Sequence, residues 1–403
     1  MDGRTPIVDE SHVHVHEHAS IGGAPSRRRR GEFGGATEVT PVYREHTVGV
    51  VVPAYNEEGL VGNVIETMPA FVDRVYVVDD CSTDDTWAEI TRYVDRATDG
   101  GAVASDGAIE RGVEETTAHR AGEVAGEVDR PDPKAPIEHP SRPTIVPIQH
   151  AVNRGVGGAI KTGYERALED GMDVTAVMAG DAQMDPDQLD RLLDPVVEGR
   201  AAYAKGNRLA GADHRSEMST WRLFGNVLLT LLTKIASGYW EMMDPQNGYT
   251  AISREALEAV DLEGLYEAYG FANDLLVELN TAGYRIADVP MPAVYGDERS
   301  HIEYRTFVPR LSKLLLEGFC SRLGRRYVVR EFHPLVLCYG LGVVGWAVTA
   351  TAMSAAVARR RRTKPGASWV LLTLLYAFLG TTCFVLAMTL DRMENAGTVV
   401  SDT

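Results

Sequence analysis

Four apolar runs, each closing on a polar cluster, organise the first half of the chain. "TVGVVVPAY" (47–55) runs into "NEE"; "VDRVYVVDD" (72–80) runs into "CSTDDT". "PTIVPIQH" (143–150) leads to "NRGVGGA", and "MDVTAVMAG" (172–180) to "DAQMDP". Runs of this length, rich in β-branched residues and apolar on both faces, predict buried parallel strands. Helical periodicity fills the gaps in "GLVGNVIETM", "DDTWAEITRYV", "VGGAIKTGYERALED" and "PDQLDRLLDPVVE". Alternation of this kind predicts an α/β sheet with ligands at the carboxyl ends of its strands. In "DPDQ", Asp185 reads as an N-cap, Pro186 as the first helical residue and Gln188 as the capping-box partner.

The pattern changes near the other end. Residues 335–358 and 368–390 are two uncharged apolar stretches, each beyond the ~20 residues that cross a bilayer. Joined by "RRRRTKPGA", they predict a transmembrane hairpin whose small residues, Gly340, Gly342, Gly345, Ala352 and Ala356, permit close helix approach. Ahead of them, residues 301–333 mix apolar positions with Lys and Arg, as amphipathic helices in a membrane interface do.

Composition adds limits. Residues 1–46 lack periodicity and read as a disordered tail; its alternate histidines (His12, His14, His16, His18) and Arg27–Arg30 suit a solvated segment. Residues 98–142 carry ten acids against five bases and no aromatic residue, which predicts a disordered acidic insertion. The expected organisation is a tail (1–46), an α/β domain (47–300) holding that insertion, interface helices (301–333), two transmembrane helices (334–391) and a short tail (392–403). A net charge of −17 argues against nucleic acid as a partner. The four cysteines show no metal or disulfide spacing.

Taken together, "VVPAYNEE", "VVDDCSTDDT", "NRGVGGAIKTGY", "GDAQMDP", "KGNRL" and "DPQNGYTA" resemble the family 2 glycosyltransferases of GT-A fold. The likeness covers about residues 47–320 and is nearest to the polyprenyl-phosphate hexosyltransferases of dolichyl-phosphate mannose synthase type. The resemblance implies that Pro53, Tyr55, Glu57, Val78 and Asp80 border the nucleotide, with Gly180 beside the donor. It implies that Asp181 and Gln183 hold Mg²⁺ or Mn²⁺ on the donor diphosphate, oxygen ligands suited to a hard cation. Arg208, Arg222 and Arg299 match phosphate-facing positions, and Asp244 matches a loop near the acceptor.

One departure stands out: Ala179 occupies the first acidic position of the family's metal turn. The "QxxRW" signature of processive synthases is absent, which favours single-sugar transfer. The resemblance therefore implies inverting transfer of one hexose from a nucleotide diphosphate sugar (UDP-glucose or GDP-mannose type) to a dolichyl or polyprenyl phosphate. It implies a multi-pass protein of the cell membrane with its catalytic domain on the cytoplasmic face. The alternatives are another lipid or glycan acceptor, for which Asp274 is the candidate catalytic carboxylate, and a catalytically silent nucleotide-sugar-binding scaffold.

Overall fold

The computed structural model describes residues 43–99, 143–209, 220–292, 304–359 and 366–401. The expected N-terminal tail up to residue 42, nearly all of the acidic insertion and most of the basic loop between the apolar helices lie outside them. So does Arg299, and so does the side chain of Arg222.

The four predicted strands form as a parallel block. They are β1 (Val48–Ala54), β2 (Arg74–Asp79), β3 (Thr144–Gln149) and β4 (Val174–Val177), in spatial order β3-β2-β1-β4. Every residue of β1 is buried, as its unbroken apolar run requires. Val48, Val50 and Val52 face one core and Val51 the other, so both sides of the sheet are covered. Each buried valine of this kind contributes roughly 1.5–3 kcal/mol.

The first core is closed by α1 (Val61–Glu66), α2 (Thr86–Asp99) and α4 (Leu189–Val197). α3 (Val156–Glu169) closes the second, where a Cβ on Gly163 would strike Val51 Cγ1 at 2.3 Å. The capping box is corrected in part. Asp185 does cap, accepting from Asp187 N at 3.0 Å, and Pro186–Gln188 form a 3-10 turn ahead of α4. Gln188, however, turns forward to Arg191 Nη1 at 2.7 Å rather than back to the cap.

The rest of the sheet is mixed. β5 (Tyr203–Asn207), β6 (Thr250–Ser253) and β7 (Ile286–Pro290) extend it as β4-β6-β5-β7, with β6 antiparallel to both of its neighbours. α5 (Thr220–Ser237) lies between β5 and β6; α6 (Arg254–Ala259) and α7 (Phe271–Ala282) lead to β7. α5 exposes Val227, Leu228, Leu231 and Leu232 along one side, an apolar face ahead of the expected interface segment.

The segment expected at the interface folds as α8 (Tyr304–Gly324) and a π-helical turn at Arg325–Arg330. α9 (Leu335–Arg359) and α10 (Ala367–Glu394) follow, both long and apolar enough to cross a membrane. Of the small residues, Gly345 meets α10 directly, with a Cβ there falling 2.8 Å from Gly380 Cα, whereas Gly340 faces open space. The expected tail is corrected: Val399–Ser401 form β8, parallel to β7 and completing an eight-stranded sheet. Three residues suffice because Ile286, Ala287 and Asp288 offer them an open strand edge.

Candidate active site

A cleft of about 320 Å³ opens beside the carboxyl end of β4. Its floor includes Ala179, Asp181, Gln183, Met184 and Asp185, a turn tightened by Gln183 N donating to Asp181 Oδ1 at 3.0 Å. Ala182 adopts φ 57°, a left-handed conformation that a non-glycine residue takes only when its surroundings impose it. Met184 curls under the turn, its sulfur accepting from Ala179 N at 3.2 Å. Asp181 and Gln183 thus present two oxygen-bearing side chains to one cleft, which fits a hard divalent cation that draws its other ligands from phosphate and water. Among the described residues no group of three His, Cys, Asp or Glu side chains could hold a metal, so any such site here is lean in protein ligands.

Arg208 lines the same cleft, and its direction is set from behind. Asp244 takes Arg208 Nε at 2.8 Å and Nη2 at 3.1 Å in a fork, and Arg208 N as well. Burial works to raise the Asp244 carboxyl, but the Arg208 contacts and nearby Lys205 outweigh it and hold the group below the ordinary range. Asp244 itself lies at φ 46°, so its loop is held in a strained conformation to make this contact. It lines no part of the cleft and meets it only through its contact with Arg208.

The opposite wall comes from residues 268–273 and from Gln246. Asn273 is buried and linked: Gln246 Nε2 donates to its Oδ1 at 2.9 Å, and its Nδ2 donates to Thr233 Oγ1 at 2.8 Å. Asp274, the candidate base, faces away from the cleft and accepts Tyr266 N at 3.0 Å. Desolvation raises its carboxyl pKa. Asn273, Gln246 and Tyr269 are not singled out by the sequence, which marks only Asp274 in this stretch.

The residues expected at the nucleotide occupy the neighbouring strand ends rather than this cleft. Pro53 pairs with Val78, and its carbonyl accepts Gly180 N at 3.1 Å, which ties the ends of β1 and β4 together. Tyr55 is 46 % exposed, while Val78 is enclosed in the second core. Glu57 N donates to Thr86 Oγ1 at 2.8 Å. Asp80 is buried and engaged: Oδ1 meets His150 Nδ1 at 2.7 Å and Arg154 N at 2.8 Å, and Oδ2 accepts Gly155 N at 2.7 Å. These contacts hold the turn before α3.

That turn supports the wall. A Cβ at Gly155 (φ +86°) would sit 2.7 Å from Glu267 O, and one at Gly157 2.7 Å from Tyr266 O. The "GVGG" glycines therefore admit the 266–268 backbone, which Gly158 N binds at 3.0 Å and Lys161 Nζ anchors through Glu263 O, Leu265 O and Glu267.

The model of the glycosyl transferase family 2 matches residues 49–116 and 134–261. A UDP-N-acetylglucosamine–dolichyl-phosphate N-acetylglucosaminyltransferase of Methanococcus voltae is 24 % identical over 249 residues, 62 % of this chain and 86 % of that protein. A polyprenol monophosphomannose synthase of Mycolicibacterium smegmatis is 27 % identical over 285 residues, 66 % of this chain and 83 % of that one. Glucosyl-3-phosphoglycerate synthase of Mycobacterium tuberculosis, solved with uridine diphosphate, aligns at 18 % identity and a TM-score of 0.44, covering 73 % of this chain and 86 % of its own. The strand-end motifs, the GT-A type sheet and the family match converge: the chain is a glycosyltransferase and belongs to glycosyl transferase family 2.

Proposed function

We propose that this glycosyltransferase moves one hexose from a nucleotide diphosphate sugar to a polyprenyl phosphate held in a membrane, with inversion at the anomeric carbon. The observation that carries this reading is a single cleft lined by the Asp181–Gln183 turn and by an arginine fixed in place, on a chain that continues into two membrane-length helices. The names of the Methanococcus and Mycolicibacterium relatives, both lipid-phosphate transferases, point the same way.

In this scheme Asp181 and Gln183 hold Mg²⁺ or Mn²⁺, which when bound offsets the charge of the departing nucleoside diphosphate. Arg208 draws a phosphate into the cleft with a planar fork that suits phosphate geometry better than an ammonium does. Arg222 and Arg299 are assigned the same kind of role by sequence alone. Pro53, Tyr55, Glu57, Val78 and Asp80 lie on the nucleotide side; given their burial, Val78 and Asp80 shape that end of the sheet, and Tyr55 is the exposed contact. A phosphomonoester has a second pKa of about 6, so its attacking oxygen is already anionic near neutrality. It needs positioning and charge screening more than a base. Asp274, turned away behind Asn273, fits an acceptor of this sort better than a sugar or glycerol hydroxyl. The catalytic domain is assigned to the cytoplasmic face, and the product is a lipid-linked sugar for glycosylation of protein or surface glycan.

Membranes containing the protein, given radiolabelled UDP-glucose, UDP-N-acetylglucosamine or GDP-mannose with polyprenyl phosphate and Mg²⁺ or Mn²⁺, are expected to accumulate label in lipid. Asp181→Ala is expected to reduce that label by about 100-fold while membrane insertion is kept. Label in lipid that is indifferent to Asp181, or no labelled lipid with any of the donors, refutes the reading; a silent scaffold predicts the latter.

A further inference from the structure

The chain leaves its second apolar helix through a buried polar knot. Asp391, in the last turn of α10, is 0 % exposed, and so is Arg322 of α8. Arg322 Nη1 reaches Asp391 Oδ1 at 2.9 Å and Nη2 reaches Oδ2 at 2.8 Å. Tyr327 Oη (3.1 Å) and Asn395 Nδ2 (3.0 Å) donate to Oδ1, and Trp240 Nε1 (3.3 Å) to Oδ2. Arg322 also donates to Ala236 O at 2.9 Å and Ile235 O at 3.0 Å, the last turn of α5. A Cβ at residue 238 would lie 2.7 Å from Arg322 Nη1, so Gly238, at φ +81°, lets the guanidinium in. Desolvation consumes most of what such a pair gains in attraction, so what it chiefly secures is geometry.

Two connected routes run from this knot to opposite walls of the cleft. Along the first, Arg322 holds the end of α5, whose Thr233 binds Asn273, and Asn273 binds Gln246. The same route is braced at the far end of α7, where Asn280 Nδ2 donates to Asn395 Oδ1 at 2.9 Å. Along the second, the chain beyond Asn395 becomes β8 and pairs Ser401 with Asp288 of β7. Asp288 receives Lys205 Nζ at 3.0 Å and Met243 N at 3.1 Å. Met243 precedes Asp244, which aims Arg208.

We infer that the Arg322–Asp391 knot and strand β8 together are a positioning device, which ties the exit of the membrane hairpin to both walls of the cleft and so sets the cleft at the depth of a lipid-borne acceptor phosphate. This rests on the polyprenyl-phosphate reading above. Arg322, Asp391 and β8 do not touch the substrates; they hold the cleft as one body against the end of the hairpin. Loosening them leaves donor binding intact and spoils the meeting of the cleft with an acceptor anchored in the bilayer. An acceptor that diffuses freely is indifferent to that depth.

The test uses the full chain in vesicles with long-chain polyprenyl phosphate and, separately, in detergent with a short prenyl phosphate. For Asp391→Asn and for Val400→Pro, kcat/KM with the long-chain acceptor is expected to fall about 10- to 100-fold, while KM for the nucleotide sugar and transfer to the short acceptor stay within about twofold of wild type. Val400→Pro removes a main-chain N–H from β8 and leaves the ion pair untouched, so it decides the matter if Asp391→Asn does not fold. Equal losses with both acceptors, or none with either, overturn the proposal in favour of a purely structural knot. A wild-type protein that transfers to neither acceptor overturns the acceptor reading itself.

Discussion

Asp244 and Asp274 are both acidic residues near the cleft, yet their surroundings push them in opposite directions. Asp244 is held below the ordinary carboxylate range because the Arg208 fork outweighs burial. A lowered pKa in the folded state contributes stability that is complete above the unfolded value, about 4, and disappears as pH falls through the folded one. Asp244→Asn is therefore expected to remove part of the acid-induced loss of stability below about pH 4, read by thermal unfolding from pH 3 to 7. At neutral pH the same variant weakens the fork that aims Arg208 and is expected to cut transfer about 10- to 100-fold. Asp274 is the reverse case: burial raises its pKa, so folded-state stability declines as pH rises from the unfolded value through the folded one. Asp274→Asn is expected to leave kcat/KM within about threefold of wild type and to hold stability steady over that interval. A collapse of kcat in this variant would reinstate Asp274 as a base and favour a hydroxyl acceptor. The sequence flagged "FANDLL", but adjacent helical residues point about 100° apart, so only the packed helix reveals that Asn273 and not Asp274 meets the cleft.

At the scale of elements, glycine placement matters wherever two backbones touch. The glycines of "NRGVGGA" form the turn into α3, and Gly155 and Gly157 admit the 266–268 wall there. In the hairpin, Gly345 and Gly380 bring α9 and α10 together, and a Cβ at Gly380 would already lie 3.1 Å from Trp346 Cδ1 and 3.2 Å from Gly342 O. Gly380→Leu is expected to cost about 1–3 kcal/mol by forcing the helices apart, read as a lower midpoint of thermal unfolding in detergent. β4 stops pairing with β6 at Val177, while Met178 N and Gly180 N still bond Val51 O and Pro53 O of β1, so the Ala179–Met184 turn starts against the end of β1. α5 exposes Val227, Leu228, Leu231 and Leu232 on one side, while Thr230, Thr233 and Ala236 turn inward, a division set by its packing on α7 and α8.

For the whole molecule, the return of β8 to the sheet constrains topology. α9 starts from the catalytic unit and the chain after α10 rejoins it, so a spanning hairpin has both ends on one face. The basic loop at Arg359–Arg362 and Lys364 then lies on the opposite face, against the positive-inside tendency. The opposing charges that precede the first span are weaker than their number suggests, since Arg322 is neutralised in the knot and Arg325 is paired with Glu278. Connectivity, not charge, decides which segments share a face. With native cysteines replaced, a cysteine at Lys364 is expected to react with a membrane-impermeant maleimide in intact cells. A cysteine at the exposed Glu58 is expected to react only after lysis. Labelling of both positions from the same side would refute the spanning hairpin.

The parallel block of β1 to β4, the strand-end clusters, the Ala179–Met184 turn and the two membrane-length helices are legible in the chain alone, because each is written in local periodicity or in a contiguous motif. What it left undecided depends on residues far apart in the chain. The antiparallel β6, the pairing of Asp244 with Arg208, the burial of Asp80 under the α3 turn and the union of Arg322 with Asp391 all join segments tens of residues distant. No local pattern records such contacts; they exist only once the sheet and the hairpin have brought their partners within hydrogen-bonding distance.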